Sequence, residues 1–353
     1  MASFKASWLL YGATGYSGGL IAEAARAAGH NVVLGGRDEG RLQPLAERLG
    51  VKYRCFDMAA PRDAVDRALT GVRLVLNAAG PFSLTAPTLA QACMRTGTHY
   101  LDLAGEVPEH RGLHRLDERA REAGVMLLPG VGFGILPSDC LAMLLKERMP
   151  NAVTLDLGFL STAGASRGTL HTLMESLLQP GFVWQRGQLS AAEAASDHHD
   201  FDFGPGGTRR ALLFPWRADS FSAGLSTGIP FVRSYAAVPW PLQWVLKQRR
   251  WFAEGLPRRL LERYAARAPL GPDANTRNTA RSYIAGEVVN EVGQKVRALL
   301  ELPEAYEYTV RAALYAVDQV LAGHAPEGFR TPAQVFGSQA VGAVSGAKLS
   351  FLT

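Results

Sequence analysis

The regular alternation of short apolar runs with segments of helical period, over residues 7–149, most constrains how this chain can fold. Gly, Asp or Pro residues bound each apolar run, and the segments between them repeat with the period of a helix. This pattern is typical of a parallel sheet wound with helices, so we predict an α/β fold with a doubly wound parallel sheet. The predicted strands are Ser7–Tyr11, Asn31–Leu34, Lys52–Phe56, Leu74–Ala78, His99–Leu103 and Val125–Leu128.

The rhythm changes after Pro150, which predicts a second domain. We expect residues 1–150 to form the first domain and 151–324 a mixed α+β substrate domain, with the tail 325–353 packing back on the first. The predicted elements are a strand at Ala152–Leu160, a helix at Gly168–Leu178, a loop region at Gln179–Gly207, antiparallel strands at Arg281–Val289 and Gln294–Leu300, a helix at Glu304–Leu321 and a break at Gly328–Pro332.

The composition is that of a folded globular protein, with 353 residues of which 47% are hydrophobic and 20% charged. No apolar run approaches the roughly 20 residues of a membrane-spanning helix, and the first residues lack the apolar stretch of a secretory signal. The three cysteines show no C-x-x-C spacing, which argues against a disulfide framework or a zinc site. We therefore expect a cytoplasmic protein.

A glycine-spaced turn, Tyr11–Gly19, directly follows the first predicted strand and opens the first helix. Gly12 and Gly15 let the backbone turn tightly and approach a pyrophosphate, and Gly18 lets the helix pack closely on the sheet. The helix N-terminus offers unpaired N–H donors to the anion. The turn therefore predicts a dinucleotide site, whose binding residues here are Gly12, Thr14, Gly15, Tyr16, Ser17 and Gly18.

The end of the second strand distinguishes two forms of the dinucleotide. An NAD-specific site places Asp or Glu there, whereas this chain has Gly35-Gly36-Arg37. The Arg37 guanidinium suits a 2′-phosphate, so we expect NADP(H). We interpret Asp38 as a helix N-cap, although its carboxylate is near enough to accept from a ribose. Asp57, after the third strand, either accepts from the adenine amino group or is an ordinary turn residue.

The fourth strand ends in Asn77-Ala78-Ala79-Gly80-Pro81-Phe82. Small residues at this carboxyl edge let the nicotinamide ribose lie against the backbone, and the proline stiffens the loop. The predicted cofactor contacts of this loop are Asn77, Ala79, Gly80, Pro81 and Phe82.

With these motifs the chain resembles the saccharopine dehydrogenase-like oxidoreductases, and among them the group of trans-acting enoyl reductases. The most distinctive shared stretch is residues 97–106, Gly-Thr-His-Tyr-Leu-Asp-Leu-Ala-Gly-Glu, and Gly130–Asp139, Thr227–Pro230 and Gly328–Pro332 extend the resemblance over nearly the whole length. The resemblance implies an NADP-binding Rossmann domain followed by a mixed α+β domain that shapes the substrate site. The family's activities range from saccharopine handling to reduction of acyl chains on carrier proteins. No saccharopine-type catalytic pair stands out in this sequence.

Loops after the fourth, fifth and sixth strands are expected to line the ligand crevice. Asn77 and Asp102 lie in these loops, where Glu106 is expected to anchor backbone amides or, alternatively, to donate a proton. Ser138-Asp139 is interpreted first as a capping pair and second as a substrate contact. In the second domain we predict His171 and Tyr235 as proton donor and orienter; the alternative is that both are packing residues.

Two further clusters carry charge. Asp197–Asp202 groups two histidines with three aspartates, and we interpret it as a solvated lid rather than a metal site. The net charge of +5 is concentrated between Arg233 and Arg281, where Trp240–Tyr264 mixes arginines with aromatic residues. No nucleic-acid motif accompanies this segment. An acidic carrier protein, a lipid surface and a solvated basic helix face all stay open as its interpretation.

Three functions agree with these patterns. The favoured one is an NADPH-dependent oxidoreductase that reduces an activated C=C (enoyl) or C=N bond of an acyl or polyketide-type substrate, small or carrier-bound. The second is a non-catalytic NADP-binding protein that docks a lipid or protein partner. The third is an imine or saccharopine-type reductase of an amino acid, which the lack of an obvious arginine pair for two carboxylates disfavours. The oligomeric state stays open, a homodimer included.

Overall fold

The computed structural model describes residues 6–163, 167–177, 179–252 and 255–352. The chain divides into two compact units, and each unit is formed by two separate stretches of sequence. Unit 1 comprises Met1–Leu136 and Thr309–Gly337, and unit 2 comprises Pro137–Tyr308 and Ser338–Thr353.

Unit 1 contains a seven-stranded sheet in which every neighbouring pair of strands is parallel. Its strands are β1 (Trp8–Tyr11), β2 (Val32–Gly36), β3 (Lys52–Cys55), β4 (Leu74–Asn77), β5 (His99–Asp102), β6 (Met126–Leu128) and β15 (Gly328–Phe329). The helices of this unit are α1 (Tyr16–Ala27), α2 (Glu39–Leu49), α3 (Arg62–Leu69), α4 (Phe82–Thr96), α5 (Val107–His114), α6 (Asp117–Glu122) and α15 (Pro332–Phe336). Two helices cross the division: α7 (Leu136–Arg148) lies mostly in unit 2, and α14 (Ala305–Leu321) mostly in unit 1. The spatial order β15-β6-β5-β4-β1-β2-β3 confirms the predicted doubly wound sheet.

All six strands predicted for this sheet are present. Five of them are buried and read as apolar runs, whereas the edge strand β3 is partly exposed. Asp38 is the N-cap of α2 as expected, since it accepts a hydrogen bond from the backbone N–H of Arg41 at 3.2 Å. Gly50 ends the same helix with φ +63°. The seventh strand, Gly328–Phe329, lies where we predicted only a break, since two residues give no periodic signal.

Unit 2 contains a nine-stranded mixed sheet, with the order β10-β11-β12-β7-β13-β14-β16 and with β8 and β9 pairing beside β12. Its strands are β7 (Ala152–Ser161), β8 (Gly181–Gln185), β9 (Gln188–Ala192), β10 (His198–Asp202), β11 (Thr208–Leu213), β12 (Phe231–Ala236), β13 (Arg281–Asn290), β14 (Lys295–Pro303) and β16 (Lys348–Leu352). Its helices, besides α7 and α14, are α8 (Arg167–Ser176), α9 (Asp219–Thr227), α10 (Trp240–Lys247), α11 (Arg249–Phe252), α12 (Gly255–Arg267), α13 (Ala274–Thr279) and α16 (Ala340–Ala343). The predicted mixed α+β character and the β13–β14 hairpin are confirmed.

The prediction of a loop region over Gln179–Gly207 is wrong, because strands β8, β9 and β10 occupy about half of this segment. A tight turn at Arg186 and Gly187, both with positive φ, joins β8 to β9. The predicted solvated lid at Asp197–Asp202 is likewise mostly strand, since His198–Asp202 pairs with Thr208–Leu213. Polar residues dominate β10 and hide its period.

The division of the chain differs from the expected boundaries at 150 and 324. Most of α7 is assigned to unit 2, where Leu141 and Leu145 pack so close to Gly286 of β13 that a Cβ there would lie 2.6 Å from Leu145 Cδ1. The tail is shared: Gly328–Phe329 pairs with β6 in the first sheet, while Lys348–Leu352 pairs with β14 in the second. The sequence pattern predicts that a segment is a helix or a strand, but not against which of the two units that segment packs.

Candidate cofactor site

The glycine turn lies at the carboxyl end of β1, the central strand that pairs with β2 on one side and β4 on the other. The backbone N–H of Gly12 donates to the carbonyl of Gly35 at 2.9 Å, and that of Gly15 donates to the carbonyl of Gly12 at 3.0 Å. Gly12 has φ +87°, and a Cβ there would lie 2.7 Å from the amide nitrogen of Ala79. Only glycine therefore fits where the turn meets the end of β4.

The first turn of α1 packs directly on this loop. A Cβ on Gly18 would overlap the carbonyl oxygen of Gly12, so a side chain at position 18 would push the helix away. Gly15 is the N-cap residue of α1 and provides no side-chain hydrogen bond to the first turn. A helix N-terminus without a side-chain cap, on a turn whose close backbone contacts are made by glycines, suits a phosphate group. The residues present therefore fit a dinucleotide diphosphate, with Thr14, Tyr16 and Ser17 half-buried around it.

The loop also lies at the topological switch point of the sheet. In the register of the strands, Tyr11 is beside Gly35 of β2 and Asn77 of β4. Chain connections leave β1 and β4 toward opposite faces of a doubly wound sheet, which opens a crevice at their carboxyl ends. The glycine turn, the β2 end and the β4 end therefore surround one crevice within unit 1.

Two arginines follow β2. Arg37 is exposed directly after Gly36, as a group that contacts a 2′-phosphate must be before the cofactor binds. Arg41, which the sequence did not single out, donates from Nη2 to the backbone carbonyl of Thr14 at 3.0 Å and so ties α2 to the glycine turn. Arg41 lies about one helical turn after the Asp38 cap, and this spacing is the sequence feature from which its position near the glycine turn could have been predicted.

Beyond β2, the β3 end carries Asp57. Its Oδ1 accepts a hydrogen bond from the backbone N–H of Ala59 at 2.7 Å, which is the geometry of a turn residue. The contact of Asp57 with the adenine amino group stays a prediction. The Tyr11 hydroxyl donates to the Phe56 carbonyl at 3.4 Å, and the two rings lie 4.9 Å apart. Burial, with the Asp57 charge, raises the pKa of Tyr11 to about 12, so this phenol stays neutral.

The loop after β4 is held by Asn77, whose side chain is completely buried. Its Nδ2 donates to Thr85 Oγ1 at 2.9 Å and to the Tyr100 hydroxyl at 3.2 Å, and its Oδ1 accepts from the Ala79 N–H at 3.1 Å. These bonds use every polar atom of the amide. Asn77 therefore fixes the loop, and the half-buried or exposed residues after it, 79–82, present the surface predicted for the nicotinamide ribose.

Asp102 continues this network and is also completely buried. Its Oδ2 accepts from the Tyr100 hydroxyl at 2.8 Å, and its Oδ1 accepts from the backbone N–H groups of Ala104 and Gly130 at 2.9 and 3.0 Å. Burial raises the pKa of Asp102 to about 6 even though these three donors favour the carboxylate. The chain Asn77–Tyr100–Asp102 thus links the loops that follow β4, β5 and β6.

Glu106 begins α5 at the N-cap position. Its Oε2 accepts from the backbone N–H of Gly105 at 2.9 Å, which is the anchoring contact that we expected to outweigh proton donation. The neighbouring His110 is buried and lies 3.1 Å from the Ala104 carbonyl through Nε2. These contacts hold the loop after β5 from within unit 1.

The proton donors predicted in the second domain are placed differently from each other. Tyr235 lies in β12 with 1% of its surface exposed, and its hydroxyl donates to Asp197 Oδ2 at 2.9 Å. Burial raises its pKa well above the ordinary tyrosine value. This environment is typical of a packing residue. His171 lies in α8, and its side chain is outside the described residues, so both catalytic roles stay predictions.

Ser138 and Asp139 connect two helices of unit 2. The Ser138 hydroxyl donates to Asp219, which also accepts from Arg217 Nε at 2.7 Å. The Ser226 hydroxyl donates to Asp139 Oδ1 at 2.7 Å. These contacts tie the start of α7 to α9 and place the pair in the packing of unit 2.

A row of charges that the sequence did not reveal crosses the second sheet. Arg233, Asp156, Glu287 and Arg297 are direct neighbours on β12, β7, β13 and β14. Arg233 binds Asp156 through two bonds of 2.8 and 2.9 Å. Burial pushes the pKa of Glu287 up, but its bonds from Arg297 and Lys295 hold it below the usual value. A cavity of about 190 Å³ adjoins the row between β10 and β13.

Within the described ranges, no group of three or more His, Cys, Asp or Glu residues is arranged to hold a metal ion. In the same part of the chain, no helix is both long and apolar enough to cross a membrane. Aspartates of the Asp197–Asp202 cluster form ion pairs with arginines: Asp200 pairs with Arg210 at 3.1 Å, and Asp197 pairs with Arg233.

Residues 8–128 match the family model described as the saccharopine dehydrogenase NADP-binding domain. With the parallel sheet and the glycine turn, this match shows that unit 1 contains an NADP-binding domain of the Rossmann type. The resemblance to the saccharopine dehydrogenase-like oxidoreductases is thereby confirmed, and NADP is the cofactor that this domain takes.

The chain is similar to several proteins named trans-acting enoyl reductase. One from Mycobacterium leprae is 34% identical over 140 residues, which cover 37% of this chain and 33% of that relative's length. One from Mycobacterium tuberculosis (strain H37Rv) is 24% identical over 352 residues, covering 82% of each chain. A solved structure of saccharopine dehydrogenase (L-Glu forming) from Saccharomyces cerevisiae superposes with a TM-score of 0.64 at 14% identity, covering 99% of this chain and 100% of that one. The superposition shows a common fold.

Proposed function

We propose that this protein is an NADPH-dependent reductase of an activated C=C bond in an acyl or polyketide-type substrate, free or bound to an acidic carrier protein in the cytoplasm. The proposal combines the NADP-binding class with the similarity to trans-acting enoyl reductases over 82% of the chain. The observation that carries it is the fit of Gly12 against Ala79 at the switch point, with Arg37 exposed beside it.

The residues of unit 1 divide the work of holding the dinucleotide. The backbone of Gly12, Gly15 and Gly18, with the start of α1, binds the diphosphate. Side chains at Gly12 or Gly18 would collide with the β4 end or with the turn itself and push this cradle apart. Arg37 pairs with the 2′-phosphate, and residues 79–82 support the nicotinamide ribose. The hydrogen bonds of Asn77 keep that loop in one conformation before binding, which lowers the entropy cost of association.

When bound, NADPH supplies a hydride and leaves as NADP⁺. The substrate C=C bond takes that hydride at one carbon and a proton at the other, so the product is the saturated acyl chain. The protein must therefore provide the proton and stabilise the negative charge on the adjacent carbonyl oxygen. Of the two groups predicted from the sequence, His171 is the proposed proton donor, whereas the burial of Tyr235 and its bond to Asp197 favour a packing role.

The direct test is the loss of NADPH absorbance when the full chain is mixed with an α,β-unsaturated acyl thioester. We expect turnover with NADPH, formation of the saturated thioester, and much weaker turnover with NADH. The Arg62→Ala variant, which alters an exposed arginine of α3, serves as the control and keeps wild-type rates.

Two other results would replace the proposal. Turnover only with an amino acid and an oxo acid would make the protein an imine reductase of the saccharopine type. Tight NADPH binding without turnover of either substrate class would make it a cofactor-binding protein. Each result leaves the site described above intact and changes only the chemistry assigned to it.

A further inference from the structure

Three of the six tryptophans are exposed on one short stretch of unit 2. Trp240 and Trp244 of α10 are 76% and 47% exposed, and Trp251 of α11 is 59% exposed. The other three, Trp8, Trp184 and Trp216, are buried. Large exposed aromatic side chains grouped together are uncommon on a soluble protein surface and mark an interaction site.

The exposed indoles are held on a packed base. Trp240 and Trp244 are four residues apart and so share a face of α10. The Trp244 ring lies 5.9 Å from that of Trp251 and 5.2 Å from that of Phe252, and Phe252 is buried with Leu246 in an apolar cluster. Because Trp244 and Trp251 pack on the buried Phe252, these two indoles keep a fixed arrangement, and Trp240 adds a third, more exposed indole on the Trp244 face of α10.

The same stretch is basic. Between Trp240 and Arg267 the sequence has seven basic residues and two acidic ones. Helix α12, which packs against α11, exposes Arg259, Arg263 and Arg267. The acidic Glu262 bonds Arg258 at 2.8 Å. The uncompensated charge of the surface is therefore positive.

We propose that this tryptophan–arginine surface, formed by the described residues of α10, α11 and α12, docks on an anionic phospholipid bilayer. Indole rings have an apolar body and a polar N–H, and they prefer the headgroup level of a membrane. Arginines beside them meet phosphate groups of the lipids, and each basic residue near an anionic bilayer strengthens binding by about fivefold. Charge complementarity and indole exposure thus select the same partner.

An acidic protein is the competing partner, and the indoles argue against it. Arginines alone satisfy an acidic protein surface, whereas three bare indole faces gain nothing from carboxylates. A bilayer interface accommodates both groups at once. The proposal does not depend on the reductase activity, because docking is measured without substrate or turnover.

The experiment uses the full chain and vesicles of two compositions: phosphatidylcholine alone, and an equal mixture of phosphatidylcholine and phosphatidylglycerol. We expect co-sedimentation with the anionic vesicles, reduced by high salt and weak with neutral vesicles. Tryptophan fluorescence is an internal reporter, since the three exposed indoles should shift their emission to shorter wavelength when they enter the interface.

Two variants separate the contributions. The triple variant W240A/W244A/W251A should lower partitioning into anionic vesicles by at least about tenfold. The triple variant R259Q/R263Q/R267Q should lower it on the order of a hundredfold at low salt. The charge variant leaves the aromatic packing intact, so it tests the proposal even if the indole variant fails to fold.

The matched controls alter exposed residues elsewhere. R115Q/R119Q removes two exposed arginines of unit 1, and V292A/L349A removes two exposed apolar side chains of unit 2. Both should bind vesicles like the wild type. Equal loss in controls and test variants, or no binding to anionic vesicles, overturns the proposal. Emission shifts with an acidic acyl carrier protein but not with vesicles would overturn it in favour of a protein partner.

Discussion

The Tyr100 hydroxyl donates to Oδ2 of Asp102 at 2.8 Å, and both side chains are completely inaccessible to solvent. Through Asn77 and the backbone of Gly130, this bond joins the loops that follow three adjacent strands. A buried carboxylate normally pairs with a cation, but hydrogen-bond donors alone satisfy Asp102. The ends of β4, β5 and β6 are therefore positioned by a network that titrates.

The first prediction concerns pH. The pKa of Asp102 is raised by burial from 3.8 to about 6, so the folded protein binds more protons than the unfolded chain between these values. Stability should therefore fall as pH rises through this interval, by up to about 3 kcal/mol from Asp102, and stay level above it. Denaturant unfolding at a series of pH values should show this slope in the wild type and not in Asp102→Asn.

Asp63→Asn, at an exposed position of α3, is the control and should keep the wild-type slope. If the free energy of unfolding changed with pH in the same way in the wild type and in Asp102→Asn, the pKa of Asp102 would be the same in the folded and unfolded protein. The buried network would then have no role in the pH dependence.

The sequence predicted the first sheet well for a physical reason: buried parallel strands read as short apolar runs, and the amphipathic helices between them have a strong period. The glycine turn was also predictable, because Gly12 and Gly18 are required by close backbone contacts within and next to the turn. The network of Asn77, Tyr100 and Asp102 has no such local signal. Asn77 is 23 residues from Tyr100, and Asp102 is 28 residues from Gly130, so only the folded sheet brings these partners together.

The second sheet was harder to predict. Strands β8 and β9 are short, and their turn depends on a positive φ at Arg186, which a non-glycine residue rarely adopts. The row that joins Arg233 to Asp156 is set by cross-strand register, which sequence patterns specify only weakly when strands are far apart in the chain.

A second prediction concerns cofactor choice. Arg37→Ala should weaken NADPH binding by about tenfold to a hundredfold and leave NADH binding nearly unchanged, because a charge-assisted bond to the 2′-phosphate is lost. Arg41→Ala should weaken both cofactors alike, since its contact is with the Thr14 carbonyl of the glycine turn. Fluorescence titration of both variants measures the difference. Equal loss of NADPH and NADH binding in Arg37→Ala would contradict the assignment.

A third prediction separates steric from conformational cost in the turn. Gly12→Ala meets both a left-handed φ of +87° and the amide of Ala79, whereas Gly29→Ala meets a φ of +81° with no atom within 4 Å. Gly29→Ala should lose about 1 kcal/mol of stability and keep NADPH binding. Gly12→Ala should lose about 1–3 kcal/mol more and bind NADPH at least tenfold more weakly. Similar stability and NADPH binding in the two variants would mean that the backbone at the end of β4 moves easily to accommodate the added methyl group.

A fourth prediction tests the role of Asn77 as a positioning residue. Asn77→Ala leaves the Ala79 N–H and its buried neighbours without their partner, which should cost about 1–3 kcal/mol of stability. The KM for NADPH should rise several-fold while kcat changes less, because the loop must be ordered on binding. Thr85→Val, which removes only the Thr85 bonds to Asn77 and to the Ala79 carbonyl, should show a smaller effect in the same direction.

The last prediction decides what Tyr235 does. Its ring packs with Phe201 in the apolar core of the second sheet, and its hydroxyl is engaged by Asp197. Tyr235→Phe keeps the ring and removes one hydrogen bond, so stability should fall by about 1 kcal/mol with kcat nearly unchanged. Steady-state rates and denaturant unfolding on the same preparation measure both quantities. A fall of kcat by a hundredfold or more with unchanged stability would instead make this phenol the proton donor, because general acid catalysis contributes about 10²–10⁴-fold. His171→Gln then supplies the comparison: if Tyr235 is a packing residue and His171 donates the proton, only the histidine variant loses turnover.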